Sequence, residues 1–202
     1  MDSSNQAIKR IPMLIGGEWR EGATMDPVND PYRNEIVSYQ PRSTRADLDA
    51  ALNAAVAAKS VIAAMPGFER AALLRRVSAL LLERADMIAE VMSRETGKAI
   101  KDARGEVVRS QDTINLSAEE AIRIEGEHIP LDGSAMGAGK IALMLRFPVG
   151  VIAGITPFNA PFNLAAHKVA PAIASGNAVI LKGPPQAPGV VHELTRLFVD
   201  AG

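Results

Sequence analysis

The hydrophobic and polar positions along the chain follow four successive patterns. Residues 13–40 alternate short apolar stretches with turn-forming residues, which predicts short strands. Apolar residues recur at helical spacing over residues 44–125, and short apolar stretches flank a loop of small residues over 126–148. Residues 149–202 alternate brief apolar runs with helical periodicity. This order of elements predicts an α/β protein.

Three or more helices are predicted between residues 44 and 125. Ser43 or Thr44 can cap the first segment, which ends at the Pro66-Gly67 break. A second apolar stripe continues over residues 68–97, and a charge-rich helical stretch covers residues 98–124.

The segment after residue 148 has the pattern of a parallel crossover. Apolar runs at residues 149–155 and 178–182 are short enough for buried strands, and residues 161–175 between them have helical spacing. Strand, helix and strand in succession imply a right-handed crossover. A further helix is predicted over residues 190–201, so the parallel sheet has two strands and is expected to be incomplete.

Composition then excludes several classes of protein. The 202 residues are 48% hydrophobic and 22% charged with a formal net charge of −1, which is ordinary for a globular chain. No basic run indicates a nucleic-acid or anionic-membrane partner. No apolar run reaches about 18 residues, and residues 1–12 lack a signal-peptide core, so we expect a cytoplasmic protein without a membrane partner.

The chain has no cysteine and three histidines, His128, His167 and His192. The lack of cysteine excludes disulfides, thiolate metal sites and a cysteine nucleophile within these residues. The histidines have no ligand spacing, so surface or half-buried positions are expected for them and no metal site is predicted.

Candidate chemistry lies in the loops after the two predicted parallel strands, because ligands bind beyond the carboxyl ends of such strands. The first loop follows Ile155 and carries Asn159, whose amide can stabilise a developing oxyanion. Asn159 can instead cap the helix that begins near Pro161. At the second loop, Lys182 can meet a ribose or a phosphate, or it can be an ordinary solvated lysine.

Two other segments resemble functional motifs but are explained without them. Residues 133–140 are glycine-rich and end in a lysine, yet Ile141 stands where a phosphate-binding loop needs serine or threonine. The Glu95-Thr96-Gly97-Lys98 stretch is explained as a glycine-capped helix end followed by a lysine near the negative end of the helix dipole.

Five motifs, taken together and in order, resemble the N-terminal portion of the aldehyde dehydrogenase superfamily over nearly the whole chain. They are Ile15-Gly16-Gly17-Glu18-Trp19, Glu95-Thr96-Gly97-Lys98, Arg146-Phe147-Pro148-Val149-Gly150-Val151, Thr156-Pro157-Phe158-Asn159, and the segment from Lys168 to Lys182 that contains Ser175-Gly176-Asn177. The resemblance implies a domain division with residues 1–125 as the N-terminal helical part of the cofactor-binding domain. It implies oligomerisation-arm strands over 126–148 and the first strand-helix-strand-helix of an incomplete NAD(P)-binding domain over 149–202.

The resemblance also implies roles for single residues. Asn159 would help to hold the oxyanion during catalysis, and Lys182 would contact the adenosine ribose or its 2′-phosphate. The cofactor groove beside them would be lined by Ile155, Thr156, Pro157 and Phe158. The implied reaction oxidises a small aldehyde with NAD or NADP through a cysteine nucleophile and a water-activating glutamate, in an enzyme that is a homo-oligomer when complete.

The sequence departs from the family pattern in two ways. Pro185 stands where many NAD-preferring members have a glutamate, and without that carboxylate a 2′-phosphate meets no repulsion. The cysteine and the catalytic glutamate are expected beyond Gly202, so the chain is interpreted as a fragment that is inactive alone. Two alternatives stay open: an acyl-phosphate or acyl-CoA reductase of the same superfamily, and a non-catalytic nucleotide-binding or docking module.

Overall fold

The computed structural model describes residues 8–202, beginning with five short strands in two small sheets. The strands are β1 (Lys9–Arg10), β2 (Met13–Ile15), β3 (Glu18–Arg20), β4 (Met25–Asn29) and β5 (Ile36–Pro41). In the first sheet β5 lies between β1, which is parallel to it, and β4, which is antiparallel. β2 and β3 form a separate antiparallel hairpin. The prediction of short strands and turns before residue 41 is confirmed.

Four helices follow: α1 (Arg45–Ala64), α2 (Gly67–Glu83), α3 (Ala85–Thr96) and α4 (Ile100–Ala121). Thr44, one of the two residues predicted to cap this helix, caps α1 through a capping box with Asp47. The single helix predicted over residues 68–97 is wrong, because the chain breaks at Arg84 into α2 and α3. No proline or glycine marks this break, so the apolar spacing runs across it without a visible signal.

Helices α1 and α2 turn sharply at the predicted Pro66-Gly67 break. Gly67 is required there because a Cβ atom on it would lie 2.6 Å from the backbone oxygen of Ala121 at the end of α4. No single helix within residues 8–202 is long and apolar enough to cross a membrane. α1 and α2 meet that criterion only as a pair, and they are bent by 113°.

The segment between the helices and the parallel sheet forms a short antiparallel pair, β6 (Glu127–Ile129) and β7 (Ala142–Met144). Each strand has three residues, and the glycine-rich stretch between them forms turns that lead into a strand and not into a helix. Around β7 one alternating set of apolar side chains is exposed, namely Ile141, Leu143, Leu145, Phe147 and Val149.

The remaining residues form the predicted crossover: β8 (Val151–Ile155), α5 (Pro161–Ala174), β9 (Ala178–Lys182) and α6 (Pro188–Ala201). β8 and β9 pair in parallel from Val151 with Ala178 to Ile155 with Lys182. One hydrophobic core joins α2, α3 and α4 to α5 and α6, with Leu74, Ile114, Phe162 and Leu194 among its fully buried side chains. The chain thus has the mixed α/β fold that the sequence predicts.

Candidate functional site

The two loops that follow β8 and β9 meet at one edge of the parallel sheet. The backbone N–H of Thr156 donates to the carbonyl oxygen of Lys182 at 3.1 Å, and the Thr156 hydroxyl donates to the same oxygen at 3.0 Å. Thr156 is buried, whereas Lys182 is exposed. The structure therefore joins the two loops by a threonine whose side chain is engaged within the protein.

The other predicted groove residues, Ile155, Pro157 and Phe158, are exposed beside this junction. Ile155 is 67% exposed and Phe158 is 55% exposed, which is unusual for apolar side chains of this size. With the Lys182 ammonium they form an apolar surface next to a positive charge at the carboxyl ends of the strands, where α/β sheets bind nucleotides. Of the five residues predicted to line the cofactor groove, only Thr156 is buried.

Asn159 does not cap helix α5, so that interpretation of the residue is wrong. The N-cap position is Ala160, which makes no side-chain capping bond, and Pro161 is the first helical residue. The N–H groups at the start of the helix, which have no partner within it, are satisfied from another element: those of Phe162 and Asn163 donate to Oε1 of Glu106 at 3.0 and 3.1 Å. The Asn159 amide is therefore not needed to begin the helix.

Glu106, on α4, is 2% exposed and also pairs with Lys98. The Lys98 ammonium reaches Oε2 of Glu106 and donates to the backbone oxygen of Asn159 at 3.0 Å. A buried carboxylate is stable in an apolar interior only when it is paired and hydrogen-bonded, and Glu106 is both. The loop that carries Asn159 is thus tied to α4 and to the residue that follows α3.

The second loop is held by an analogous carboxylate. Oε1 of Glu95, on α3, accepts from the Gly189 N–H at 3.0 Å and from the Ser38 hydroxyl at 2.9 Å, and Oε2 accepts from the Val190 N–H at 3.2 Å. A Cβ atom on Gly189 would lie 2.5 Å from this carboxylate, so only glycine permits the contact. Gln40 also donates to the carbonyl oxygen of Pro185 at 2.7 Å.

Burial raises the pKa of Glu95 from 4.5 to about 7, against the opposing effect of hydrogen bonds from Ser38, Val190 and Gly189 and of the Lys9 charge. The sequence interpretation of Glu95 as an ordinary helix end missed this contact, and Glu106 was not singled out. The sequence did contain a signal that these helices are capped from elsewhere. The N-cap residue of both α5 and α6 is an alanine followed by a proline, so neither helix has its own capping side chain.

A polar depression opens beside Asn159, between its loop and α4. Lys98, Lys101, Asp102, Gly105, Glu106 and Arg109 line it together with Asn159 and Ala160. Lys101, Gly105 and Arg109 recur every four residues and therefore lie on one face of α4. The Lys98 charge is paired with Glu106, so the remaining charges are the cations Lys101 and Arg109 and the one carboxylate of Asp102. The excess of positive charge beside Gly105, which has no side chain, can accept an anionic group.

The histidines do not gather at this site. His192 is buried and its ring lies 4.9 Å from that of Trp19, so it is not at the expected surface or half-buried position. Its Nδ1 atom is buried without a hydrogen-bond partner, and burial lowers the pKa of the ring to about 4. Among residues 8–202, no three His, Cys, Asp or Glu side chains are arranged to hold a metal ion.

Comparison with known proteins identifies similar chains. The model of the aldehyde dehydrogenase family matches residues 19–202. The 3-sulfolactaldehyde dehydrogenase of Priestia aryabhattai is 36% identical over 195 residues, which are 96% of this chain and 40% of that protein.

Two solved structures are also similar. One is aldehyde dehydrogenase 21 of Physcomitrella patens in complex with the reaction product succinate, with a TM-score of 0.92 and 40% identity over 96% of this chain and 40% of that one. The other is the NADP-dependent glyceraldehyde-3-phosphate dehydrogenase of Bacillus halodurans complexed with NADP, with a TM-score of 0.92 and 35% identity over 96% and 41%. The chain therefore spans about 40% of the length of these relatives.

Proposed function

From the premise that this chain belongs to the aldehyde dehydrogenase family, we propose that it supplies the oxyanion amide and one wall of the cofactor groove of an NAD(P)-dependent aldehyde-oxidising enzyme. The observation that carries this proposal is the position of Asn159. Its side chain is exposed at the carboxyl end of the parallel sheet, and the helix behind it is capped by Glu106 instead. Because the Asn159 amide does not cap the helix, it is available to donate a hydrogen bond to a ligand.

The proposed reaction needs a thiolate, and these 202 residues contain no cysteine. We therefore propose that the nucleophile comes from polypeptide outside them and that the chain alone is inactive. Aldehyde oxidation by this route forms a tetrahedral adduct with a negatively charged oxygen. The Asn159 amide would donate to that oxygen, where a preorganised donor lowers the barrier most.

The tests below use the complete enzyme, meaning residues 1–202 together with a cysteine-bearing portion. That portion is either the protein's own or the unmatched part of the Physcomitrella patens enzyme joined by fusion. We expect the complete enzyme to reduce NAD or NADP when an aldehyde is added, measured by absorbance of the reduced nicotinamide, and residues 1–202 alone to be inactive. Turnover by residues 1–202 alone would contradict the proposal, as would a folded complete enzyme that reduces neither cofactor.

The exposed residues at the sheet edge fit a dinucleotide. Ile155, Pro157 and Phe158 would pack against its apolar rings, and Lys182 would meet the adenosine ribose or a 2′-phosphate. The bound nicotinamide would accept the hydride from the substrate carbon. Pro185 presents no carboxylate to the ribose, so the site accepts NADP as well as NAD.

Replacing Pro185 by glutamate is expected to lower kcat/KM for NADP by roughly tenfold or more, because a carboxylate would face the 2′-phosphate. The loop should keep its place, since Gln40 binds the backbone carbonyl of residue 185 and not its side chain. Steady-state kinetics with both cofactors measure the effect, and Pro185→Gln is the uncharged control. Equal NADP kinetics in the two variants would place the 2′-phosphate elsewhere.

We further propose that the aldehyde carries an anionic group. Lys101 and Arg109 lie on the face of α4 that lines the depression beside Asn159. The names of the three relatives described above agree with this chemistry, because 3-sulfolactaldehyde, glyceraldehyde 3-phosphate and the product succinate are all anions. A guanidinium binds sulfonate, phosphate or carboxylate oxygens through paired donors.

Arg109→Ala is expected to raise KM for a short anionic aldehyde, such as succinate semialdehyde, by roughly tenfold, because one charged hydrogen-bond donor is lost. KM for a neutral aldehyde of similar length should stay the same. The ratio of the KM for the anionic aldehyde to the KM for the neutral one therefore measures charge recognition. Arg104→Ala is the matched control, because Arg104 is also exposed on α4 but pairs with Asp86. Equal changes for both aldehydes would refute charge recognition by Arg109.

Finally, we propose that the complete enzyme is a homo-oligomer, in which another subunit covers the arm strands of residues 126–148. The alternating side chains around β7, with Leu143 66% exposed and Val149 82% exposed, form an exposed apolar row, and such patches often mark surfaces that contact another protein. The same alternation with an open strand edge is typical of a surface that pairs with another chain.

A further inference from the structure

The Glu95-Thr96-Gly97-Lys98 stretch ends in a side chain that reaches the candidate site. The Lys98 ammonium lies between two acceptors, Oε2 of Glu106 and the backbone oxygen of Asn159 at 3.0 Å. The side chain of Lys98 is 22% exposed and that of Glu106 is 2% exposed, so this charge pair is largely withdrawn from water. In such surroundings hydrogen bonds to charged groups are stronger and more directional than at a surface.

The backbone around Lys98 is built to deliver this side chain. Gly97 ends α3 in the left-handed region at φ +69°, and a Cβ atom there would lie 2.8 Å from Cγ of Pro31. The Ser93 hydroxyl donates to the carbonyl oxygen of Lys98 at 2.8 Å, and the Lys98 N–H donates to the Thr96 hydroxyl at 3.3 Å. These contacts thus fix the backbone of Lys98 independently of the bond between its ammonium and Glu106.

Glu106 links the same charge to the helix that follows Asn159. One carboxylate oxygen accepts from the N–H groups of Phe162 and Asn163, and the other binds Lys98. Lys98 therefore holds the backbone oxygen of Asn159 directly. Its partner Glu106 holds the N–H groups of Phe162 and Asn163, three and four residues further along the chain. A shift of the ammonium would break its bonds to the Asn159 oxygen and to Glu106 together.

We propose that Lys98 is a positioning residue, which holds the Asn159 peptide against Glu106 so that the Asn159 amide meets the oxyanion in a fixed place. The inference rests on the proposed function, because it assigns Lys98 a role that acts through Asn159. Lys98 itself donates no bond to the reacting atoms. Its contribution is the orientation of the donor, and displacement of a catalytic group by about 1 Å can slow a reaction by roughly 100-fold.

A double-mutant cycle in the complete enzyme tests this role. Lys98→Met is expected to lower kcat by roughly 10- to 100-fold while KM for the cofactor stays nearly the same. In an Asn159→Ala background the same substitution should cause little further loss, because the amide that Lys98 positions is already absent. Lys98→Arg, which keeps the charge and the donors, should restore most of kcat.

Two further variants make the test decisive. Arg104→Met removes another cation from α4 and should leave kcat unchanged. Lys98→Gln keeps one donor without the charge and gives an intermediate kcat, so it replaces Lys98→Met if that protein does not fold. Melting temperatures of all variants show whether a loss of kcat reflects unfolding.

The outcomes separate the two proposals. If Asn159→Ala lowers kcat but Lys98→Met does not, or if their effects multiply in the double variant, Lys98 is not a positioning residue and the proposed function stands. If Asn159→Ala itself leaves kcat unchanged, the proposed function is wrong and the role of Lys98 falls with it.

Discussion

Asn159→Ala in the complete enzyme is expected to lower kcat by roughly 100-fold or more, because the loss of one preorganised oxyanion donor costs about 3 kcal/mol in the transition state. KM for the cofactor should change little, since the substitution leaves Lys182 and the apolar groove residues in place. Pre-steady-state kinetics of nicotinamide reduction measure the chemical step directly. The loop should keep its fold, because Lys98 binds the backbone of residue 159 and Glu106 caps the helix.

The matched control is Asn53→Ala, which removes an exposed amide from α1 far along the chain from the site. It should leave kcat and the melting temperature unchanged. Unchanged kcat in Asn159→Ala, together with a lower melting temperature, would assign the residue a structural role only.

Glu95 is expected to make the stability of the protein depend on pH. Its pKa is 4.5 in its ordinary state and about 7 in the fold, because burial disfavours the charged form. The folded protein therefore binds the proton more tightly than the unfolded chain. The stabilisation is fully present below pH 4.5 and is lost as the pH rises through 7, and it amounts to about 3 kcal/mol.

Glu95→Gln isolates this effect, because an amide of the same shape does not titrate. The free energy of unfolding of the parent minus that of the variant should fall by about 3 kcal/mol between pH 4.5 and pH 7.5. Urea denaturation of residues 1–202 at several pH values measures this difference. A constant difference over this range would mean that the donors Ser38, Gly189 and Val190 keep the carboxylate ionised despite its burial.

In the parent protein, the titration of His192 would mask the dependence of the free energy of unfolding on pH that Glu95 causes. Burial lowers the pKa of His192 from 6.5 to about 4, so its contribution is present above pH 6.5 and is lost as the pH falls through 4. Between pH 4.5 and 6.5 the two groups act in opposite directions. In Glu95→Gln the opposing effect of Glu95 is absent, and that variant should lose stability as the medium becomes more acidic.

The elements of the fold were predictable where their signals are local. The Thr44 cap, the Pro66-Gly67 break and the Gly97 helix end are read from neighbouring residues, and the structure has all three. The crossover around α5 was equally clear, because two short apolar runs flank one helical pattern. The break at Arg84 was missed, since the apolar stripe keeps its spacing across it.

The site was predictable only in part, because its supports come from distant segments. The loops and the exposed residues Asn159 and Lys182 follow from the position of the parallel strands. The carboxylates that cap α5 and α6 lie 56 and 94 residues before the N–H groups that they bind, and nothing in their local sequence distinguishes them from solvated glutamates. Buried and exposed glutamates look alike until a tertiary partner is known.

The spacing between each loop and its carboxylate has a consequence for biosynthesis. The ribosome makes Glu95 and Glu106 well before the residues that they cap, although all five helices α2 to α6 share one hydrophobic core. Until α5 and α6 have been made, neither glutamate has the N–H partners that it binds in the fold, and water must take their place. The loops after β8 and β9 can therefore take their final place only when α5 and α6 dock on helices that the ribosome has already made.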